Sequence, residues 1–428
     1  MVSSPIEIIA SLFFALAVLH TFAVKRFQHI ASTFPEGSIG ENVFHLMGEV
    51  EIVFGLWAGA FVAVLAALQG GEEAIHYVES FNFTEPAFVF VIMTIASTRP
   101  IVGTAFELIM LVARVLPLPR AVAFYVTALI IGPLLGSLIT EPAAMTVTAL
   151  ILRDAFFQKD VTNRFRYLTL AVLFVNISIG GVLTHFAAPP VVMVAAKWNW
   201  GMKYMFATFG WKAILATVTN TVLASVVLRR EFSSIRLGEG VKNTRRQIPL
   251  WLTSIHFLFL AWVVVTSHHP VVFLSLFLFF QGIIVITQEY QDELKLKESL
   301  LVGFFLGGLI VLGGLQGWWL KPFLTSLSEL PLFLGATILT AVVDNAALTF
   351  LGTQVSTLGE PLKFALVSGA VSGGGLTIIA NAPNPAGFAI LRDNFGSEGI
   401  SPTQLFLYAL LPTLVAMSCF WGLPGGGG

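Results

Sequence analysis

Thr140-Glu141-Pro142-Ala143-Ala144-Met145-Thr146 and, about two hundred positions later, Val343-Asp344-Asn345-Ala346-Ala347-Leu348-Thr349 read as copies of one passage. Each sets a carboxylate inside an apolar stretch. A second pair follows downstream, Gly181-Val182-Leu183-Thr184-His185-Phe186-Ala187-Ala188-Pro189-Pro190 against Gly374-Gly375-Leu376-Thr377-Ile378-Ile379-Ala380-Asn381-Ala382-Pro383. The chain therefore reads as a duplication with one acid per half. Helix-breaking segments at matching places in two halves of a membrane chain are the best sequence-level pointer to a transporter's binding site.

Composition supports that setting. Hydrophobic residues make up 56% of the chain and charged residues 11%, with a mean hydropathy of +0.85, whereas soluble domains carry roughly 25% charged residues. Most of the chain must sit in lipid, and a soluble fold is excluded. Nucleic-acid binding has no footprint, and the net charge of −1 hides a strong segregation of charge along the chain, so partners are read only from the loops counted separately. The single cysteine, Cys419, lies in the last apolar segment and permits neither an intrachain disulfide nor a cysteine metal cluster. The N-terminus lacks a basic n-region, and Lys25 and Arg26 follow its apolar run, so residues 6–24 read as a true span. Gly425 to Gly428 read as a tail outside the fold.

A membrane-crossing helix needs about 20 apolar residues. By that measure one half offers segments at 6–24, 43–68, 86–116, 121–157, 164–198 and 204–228, and the other at 250–267, 270–288, 299–317, 331–357, 361–391 and 402–422. The fourth and fifth of each half are too long for one straight helix and hold the duplicated breaks. Taking the fourth as a re-entrant hairpin and the fifth as a complete span with an unwound middle makes the loop charges consistent. With the 229–249 linker in the cytoplasm, fifteen Lys and Arg fall inside, among them Lys25, Arg26, Arg236, Lys242, Arg245 and Arg246. Only Lys197, Lys203, Lys321 and Lys363 fall outside. This bias follows the positive-inside rule, sends the acidic loop Glu72, Glu73 and Glu79 outside, and places the N-terminus outside. The expected fold is an all-α integral membrane protein built as an inverted repeat. Residues 1–228 form one half and 250–428 the other, each with three spans, a hairpin and two further spans, one of them broken. The segment from 25 to 42 reads as a short interfacial stretch.

At the first tip, Gly132-Pro133 and Gly136 interrupt the helix, and Thr140 or Glu141 before Pro142 supplies an N-cap with proline in the first turn. Asp344-Asn345 offers the same cap at the second tip. Non-helical backbone at membrane depth persists only where protein buries it or a wet cavity touches it, so both tips are expected to line a cavity. Capping alone does not require an acid, because Ser or Asn would cap without the roughly 2.5–3.5 kcal/mol of a mid-membrane charge. In the fifth segments, the prolines after Thr184-His185 and around Asn381 and Asn384 free backbone carbonyls. Such carbonyls coordinate cations. Asn176, Thr184, Asn381 and Asn384 would add side-chain oxygens suited to sodium, and helix capping is the alternative reading of the asparagines. His185 reads as a proton relay or as a buried, satisfied imidazole. His45 and Glu49 share a helical face at spacing four, and Glu51 points elsewhere, so one acid should face the interior. Arg99 and Glu107 are natural partners for these acids in an ion-pair network. Neither tip nor either break carries Arg or Lys, so acids at both tips favour a cation over a carboxylate or oxyanion cargo.

Thr340-Ala341-Val342-Val343-Asp344-Asn345-Ala346-Ala347-Leu348 resembles the Asp-Asn motif of bacterial sodium/proton antiporters of the NhaD type, in the ion-transporter superfamily. Pro86-Ala87-Phe88-Val89-Phe90-Val91-Ile92-Met93, Ser97-Thr98-Arg99-Pro100 and Thr140-Glu141-Pro142 look closer still to a bacterial group described only by a sodium/proton antiporter label. The resemblance covers nearly the whole chain. It implies a homodimer in the cytoplasmic membrane, with a scaffold and a moving transport part built from the hairpins and broken spans. The superfamily's dicarboxylate carriers bear Ser-Asn-Thr signatures at the tips, where this chain has Thr-Glu-Pro and Asp-Asn-Ala.

Together these readings predict exchange of sodium or lithium for protons by alternating access. Glu141 and Asp344 would bind proton or sodium in competition, and Asn345, Thr140, Thr184, Asn381, Asn384 and Asn176 would supply neutral oxygens. No cofactor beyond the transported ions is expected. A sodium-coupled organic-anion or oxyanion carrier on the same sites is the rival reading. A more distant one is an intramembrane metal enzyme using His45, Glu49, Glu51 and His185, for which no His-Glu-x-x-His spacing exists.

Overall fold

The computed structural model describes residues 4–235, 247–396 and 399–425. Arg236, Lys242, Arg245 and Arg246 of the expected linker, and the glycines after Gly425, lie outside the described residues. Among those described, every regular element is helical. Seven helices are long and apolar enough to cross a membrane, and an eighth crossing results if Gly71–Glu79 and Thr84–Ala96, bent by 62°, are taken as one.

Several boundaries move from their sequence-based positions. The first helix is Pro5–Ala31, opened by a Ser4–Glu7 capping box, and it absorbs the start of the stretch expected to be interfacial. The expected span 43–68 is interrupted: helix Ile39–Met47 stops at Gly48, a single turn covers Val50–Ile52, and a helix resumes over Val53–Gln69. The expected span 86–116 is two helices, Thr84–Ala96 and Arg99–Val115. Pro100 has no N–H to continue the earlier helix but fits the first turn of a new one. The acidic loop contains helix Gly71–Glu79, and Gly317–Thr325 is a further helix inside the second half. Leu250–Val265 and Pro270–Ile286 are regular but fall short of the length of a full crossing.

The helices sort into two groups by what they touch. Pro5–Ala31, Val53–Gln69, Thr84–Ala96, Leu250–Val265, Pro270–Ile286 and Leu296–Gly313 pack together on one side. Gly308 in the last of these meets the backbone of Phe54 and Gly55 directly, a small-residue crossing of the kind that holds membrane helices together. The other group forms around Asn163–Gly180. In the most apolar window of that helix 89% of residues are buried, against 22% for Pro5–Ala31, so it is central and the first helix is peripheral.

Within the central group the duplicated passages do corresponding things. Arg120–Ile139 ends at Thr140, whose φ of 73° reverses the chain in one residue, and Glu141–Leu152 returns beside it. Gly136 then sits against Ala144, and Gly132 against Thr148. Later, Glu329–Thr340 ends in a wider turn and Asn345–Thr353 leaves from Asp344. Each leading helix also lies parallel to the helix before the next break. Ser137 Oγ donates to Gly180 O at 2.7 Å, and Thr184 Oγ1 donates to Ser137 O at 2.6 Å. In the second passage Gly369 lies on Phe333 O, Gly373 on Thr337 O, and Thr377 Oγ1 donates to Ala341 O at 2.8 Å. Thr184 and Thr377, equivalent in sequence, make equivalent bonds.

The two halves interlock. Glu141–Leu152 packs on Asn384–Leu391, where Met145 meets Gly387, and Asn345–Thr353 packs on Pro189–Trp198, where Gly352 meets Trp198. Asn163–Gly180 and Glu360–Gly373 meet end to end, with Ser178 Oγ donating to Val371 O at 2.7 Å and Gly375 packed on Val175. Rising numbers on one helix meet falling numbers on the other, so the pair is antiparallel and both breaks come to one place. Close approach here depends on glycine. Gly373→Ala, which sets a methyl on Thr337 O, should lower stability by about 1–3 kcal/mol, whereas Gly335→Ala meets nothing within 4 Å and should gain up to about 1 kcal/mol. Thermal unfolding of the detergent-solubilised protein measures both.

Candidate functional site

Pro133 shapes the approach to the first tip. It lacks the N–H that would bond Leu129 O, and the orphaned carbonyl is taken over from outside the helix. Asn176 Nδ2 donates to Leu129 O at 2.9 Å and Thr221 Oγ1 to the same atom at 3.2 Å. Asn176 Nδ2 also reaches Thr217 O and Thr221 Oγ1, and its Oδ1 accepts from Asn220 Nδ2 at 3.1 Å. Its amide hydrogens are thus engaged around the proline break, and its oxygen already holds one hydrogen bond. Thr184 likewise donates its hydroxyl hydrogen to Ser137 O, stapling the first break to the first tip. Ser137, absent from the sequence-based set, is the hub: its Oγ also accepts from Leu183 N at 2.9 Å.

Beyond these staples the chain leaves oxygens open. Glu141 is wholly buried. Its Oε2 accepts from Asn381 Nδ2 at 3.1 Å, and Oε1 has no partner. Oε1 faces Gly181 so closely that a Cβ there would strike it. The buried Asn381 Oδ1, Asn384 Oδ1, Thr140 Oγ1 and both polar atoms of Asn345 also lack partners. Asn384 Nδ2 donates to Gly374 O and to Thr377 O, each at 2.8 Å, holding the second break in shape. Gly374 in turn touches Ser178 and Asn345. Glu141, Asn381, Asn384 and Asn345 are thus joined through contacts from one tip to the other. Native interiors satisfy nearly all buried polar atoms, so a group of orphaned oxygens marks a place for a bound species.

Asp344 stands at the edge of this group, half-buried. Its Oδ1 caps the helix Asn345–Thr353, accepting from Ala346 N at 2.8 Å and Ala347 N at 3.4 Å. The helix N-terminus favours negative charge there, as it does at Glu141. Asp344 opens on a narrow cleft whose walls include Glu51, Asn381, Ile378, Val302 and Phe305. No Arg or Lys lines that cleft. The residues that could hold a hard cation are therefore the two acids and the asparagine oxygens, which is the donor set such ions take.

The other expected sites lie apart. His45 reaches Glu41 at 3.6 Å rather than Glu49, because the helix stops at Met47 and the spacing of four no longer stacks the pair. Glu49 meets Lys297 at 3.9 Å at the rim, and Glu107 is exposed. Arg99 opens the helix Arg99–Val115. His185 faces a separate cleft with Glu85 and His268. Among the described residues no group of three or more His, Cys, Asp or Glu could hold a metal ion.

Residues 5–423 match the model of a family described as "Putative Na+/H+ antiporter". The chain belongs to that family. No curated protein matches it. Membership implies a transporter rather than an enzyme and supports sodium and protons as its transported species, and seven or more apolar helices of crossing length suggest a multi-pass membrane protein.

The proline repair yields a test of structure alone. Asn176→Ala should cost on the order of 3 kcal/mol through unsatisfied buried partners. Adding Pro133→Ala, which restores an N–H for Leu129 O, should return about 1 kcal/mol of that loss. Thermal melts of the single and double variants of this antiporter family member complete the cycle.

Proposed function

We propose that this family member exchanges sodium, or lithium, for protons, with Glu141 and Asp344 each carrying either a proton or a share of the cation. The carrying observation is Glu141: a fully buried carboxylate with one neutral hydrogen bond and an unpartnered oxygen. Moving a carboxylate out of water costs several kcal/mol, and one hydrogen bond to a charged group returns about 1.5–3. Something must make up the difference. A proton removes the charge, and a cation between Glu141 Oε1 and the free oxygens of Asn381, Asn384, Asn345 and Thr140 balances it. The two solutions exclude each other at that oxygen, which is the requirement for exchange.

The same reading takes the two folded-back passages as re-entrant hairpins of an inverted repeat, residues 1–228 against 250–428, approaching the midplane from opposite faces. The matched threonine staples and the antiparallel meeting of Asn163–Gly180 with Glu360–Gly373 support it. The central group would move against the peripheral one during alternating access. A homodimer in the bacterial cytoplasmic membrane, with the N-terminus outside and the 229–249 linker inside, completes the proposal. The Asp344-Asn345 motif resembles that of the NhaD type, and the absence of Arg and Lys from the Asp344 cleft favours cation over organic-anion cargo.

Proteoliposomes containing a pH dye test the exchange. Sodium or lithium pulses should move protons, and Asp344→Asn and Glu141→Gln should each remove that movement while the protein still melts cooperatively. Pulses that leave the dye unchanged, or variants that exchange normally, refute the reading. Asn381→Ala, which removes one neutral oxygen and the bond to Glu141, should raise the half-saturating sodium concentration about tenfold, equivalent to 1.4 kcal/mol.

A further inference from the structure

The cleft at Asp344 has a counterpart. A second narrow cleft is walled by Glu85, Phe88, His185, Phe186, Ser267 and His268. His185-Phe186 follow Thr184 as Ile378-Ile379 follow Thr377 in the duplicated passage, and Ile378-Ile379 wall the first cleft. The peripheral helices contribute in the same pattern. Glu51 lies in the turn just before Val53–Gln69, and His268 in the turn just before Pro270–Ile286. Val302 and Phe305 come from Leu296–Gly313 in the first cleft, and Glu85 and Phe88 from Thr84–Ala96 in the second. Each cleft is one break, one turn and one long helix, drawn from corresponding places in the chain.

Glu141 lines neither cleft but touches the broken segment behind each. Its Oε2 is held by Asn381, which walls the first cleft, while the unpartnered Oε1 faces Gly181, four residues before His185 in the second. His185 Nδ1 is also buried without a partner. The helix Val53–Gln69, about 25 Å long, and then Gly71–Glu79 separate Glu51 from Glu85 along the chain. No Arg or Lys lines the second cleft, though Lys197 and His268 lie within electrostatic reach of Glu85.

We propose that the His185 cleft is a second entrance to the Glu141 site, used from the membrane face opposite to the Glu51–Asp344 cleft, and that Glu85 is the carboxylate that draws hydrated cations into it. The proposal rests on the exchange reading above. A carboxylate in a narrow, low-dielectric mouth raises the local cation concentration. Glu85 stands on the peripheral group, so it acts on entry without travelling with the central acids.

Cysteine labelling of the full chain in proteoliposomes, with Cys419→Ser as background, tests the sidedness. A membrane-impermeant charged thiol reagent should label Ser267→Cys from one side and Val302→Cys only from the other. Glu85→Gln should raise the half-saturating sodium concentration several-fold when sodium is added on the side that labels Ser267→Cys, with little change on the other side. Labelling of both cysteines from the same side overturns the proposal, as does a Glu85→Gln protein that behaves as wild type from both sides. Should Glu85→Gln fail to fold, the labelling pattern still decides. Asp344→Asn in the same assay separates the two levels: loss of exchange with unaltered Glu85→Gln sinks only the second entrance, whereas normal exchange in Asp344→Asn sinks the exchange reading itself.

Discussion

The structure turns on the unfinished solvation of one carboxylate. Glu141 is cut off from water and receives one hydrogen bond, from a residue 240 positions away. The N-cap of the helix Glu141–Leu152 is Thr140, so Glu141, its first residue, is not there as the cap. Keeping an acid there demands a proton or a cation, and everything around the tip arranges for either. Gly181 leaves Oε1 uncovered, Asn381 fixes Oε2, and helix N-termini at Glu141 and Asp344 bias the region toward negative charge.

Such a site can exist only if backbone is broken deep inside the protein without exposing unpaired groups, and the breaks are repaired one carbonyl at a time. Pro133 orphans Leu129 O, and Asn176 and Thr221 recover it. The first break is tied by Ser137, the second by Thr377 and Asn384. Unpartnered buried oxygens remain at Thr140, Glu141, Asn345, Asn381 and Asn384, and also on the flanks at Thr148, Thr217 and Asn220. What sets the first group apart is that it contains a carboxylate oxygen, on Glu141, whose side chain is joined to Asn381 by direct contact.

Much of this was legible in the sequence because local chemistry announces itself. Acids in apolar runs, prolines after Thr184 and around Asn381, and their recurrence in both halves needed no coordinates. What was hidden depends on which distant residues meet. That Asn176 mends the break at Pro133, and that Thr184 donates to Ser137 O while keeping its own lone pairs, could not be read from the sequence. His45 and Glu49 share a face only if the helix continues, and Gly48 ends it. Ser137 gave no signal at all, since a lone serine in an apolar helix is ordinary. Glu85 was equally silent, because its importance comes from the cleft it walls rather than from its neighbours in the chain.

The two tips are unequal, and the inequality has a mechanical origin. Thr140 reverses the first passage in a single residue at positive φ, which packs the returning helix against the leading one and seals Glu141 inside. The second passage spends Ala341 to Val343 on its turn before Asp344 starts the next helix, so its arms separate and Asp344 keeps one side on the cleft. One acid is thus enclosed and the other accessible in the same conformation. If both were sealed, an ion could not arrive; if both were open, water would solvate the pair and a cation would have little reason to displace protons. In the proposed exchange, a tight turn against a loose one would let a duplicated sequence place one carboxylate where a cation enters and its counterpart where exchange becomes obligatory.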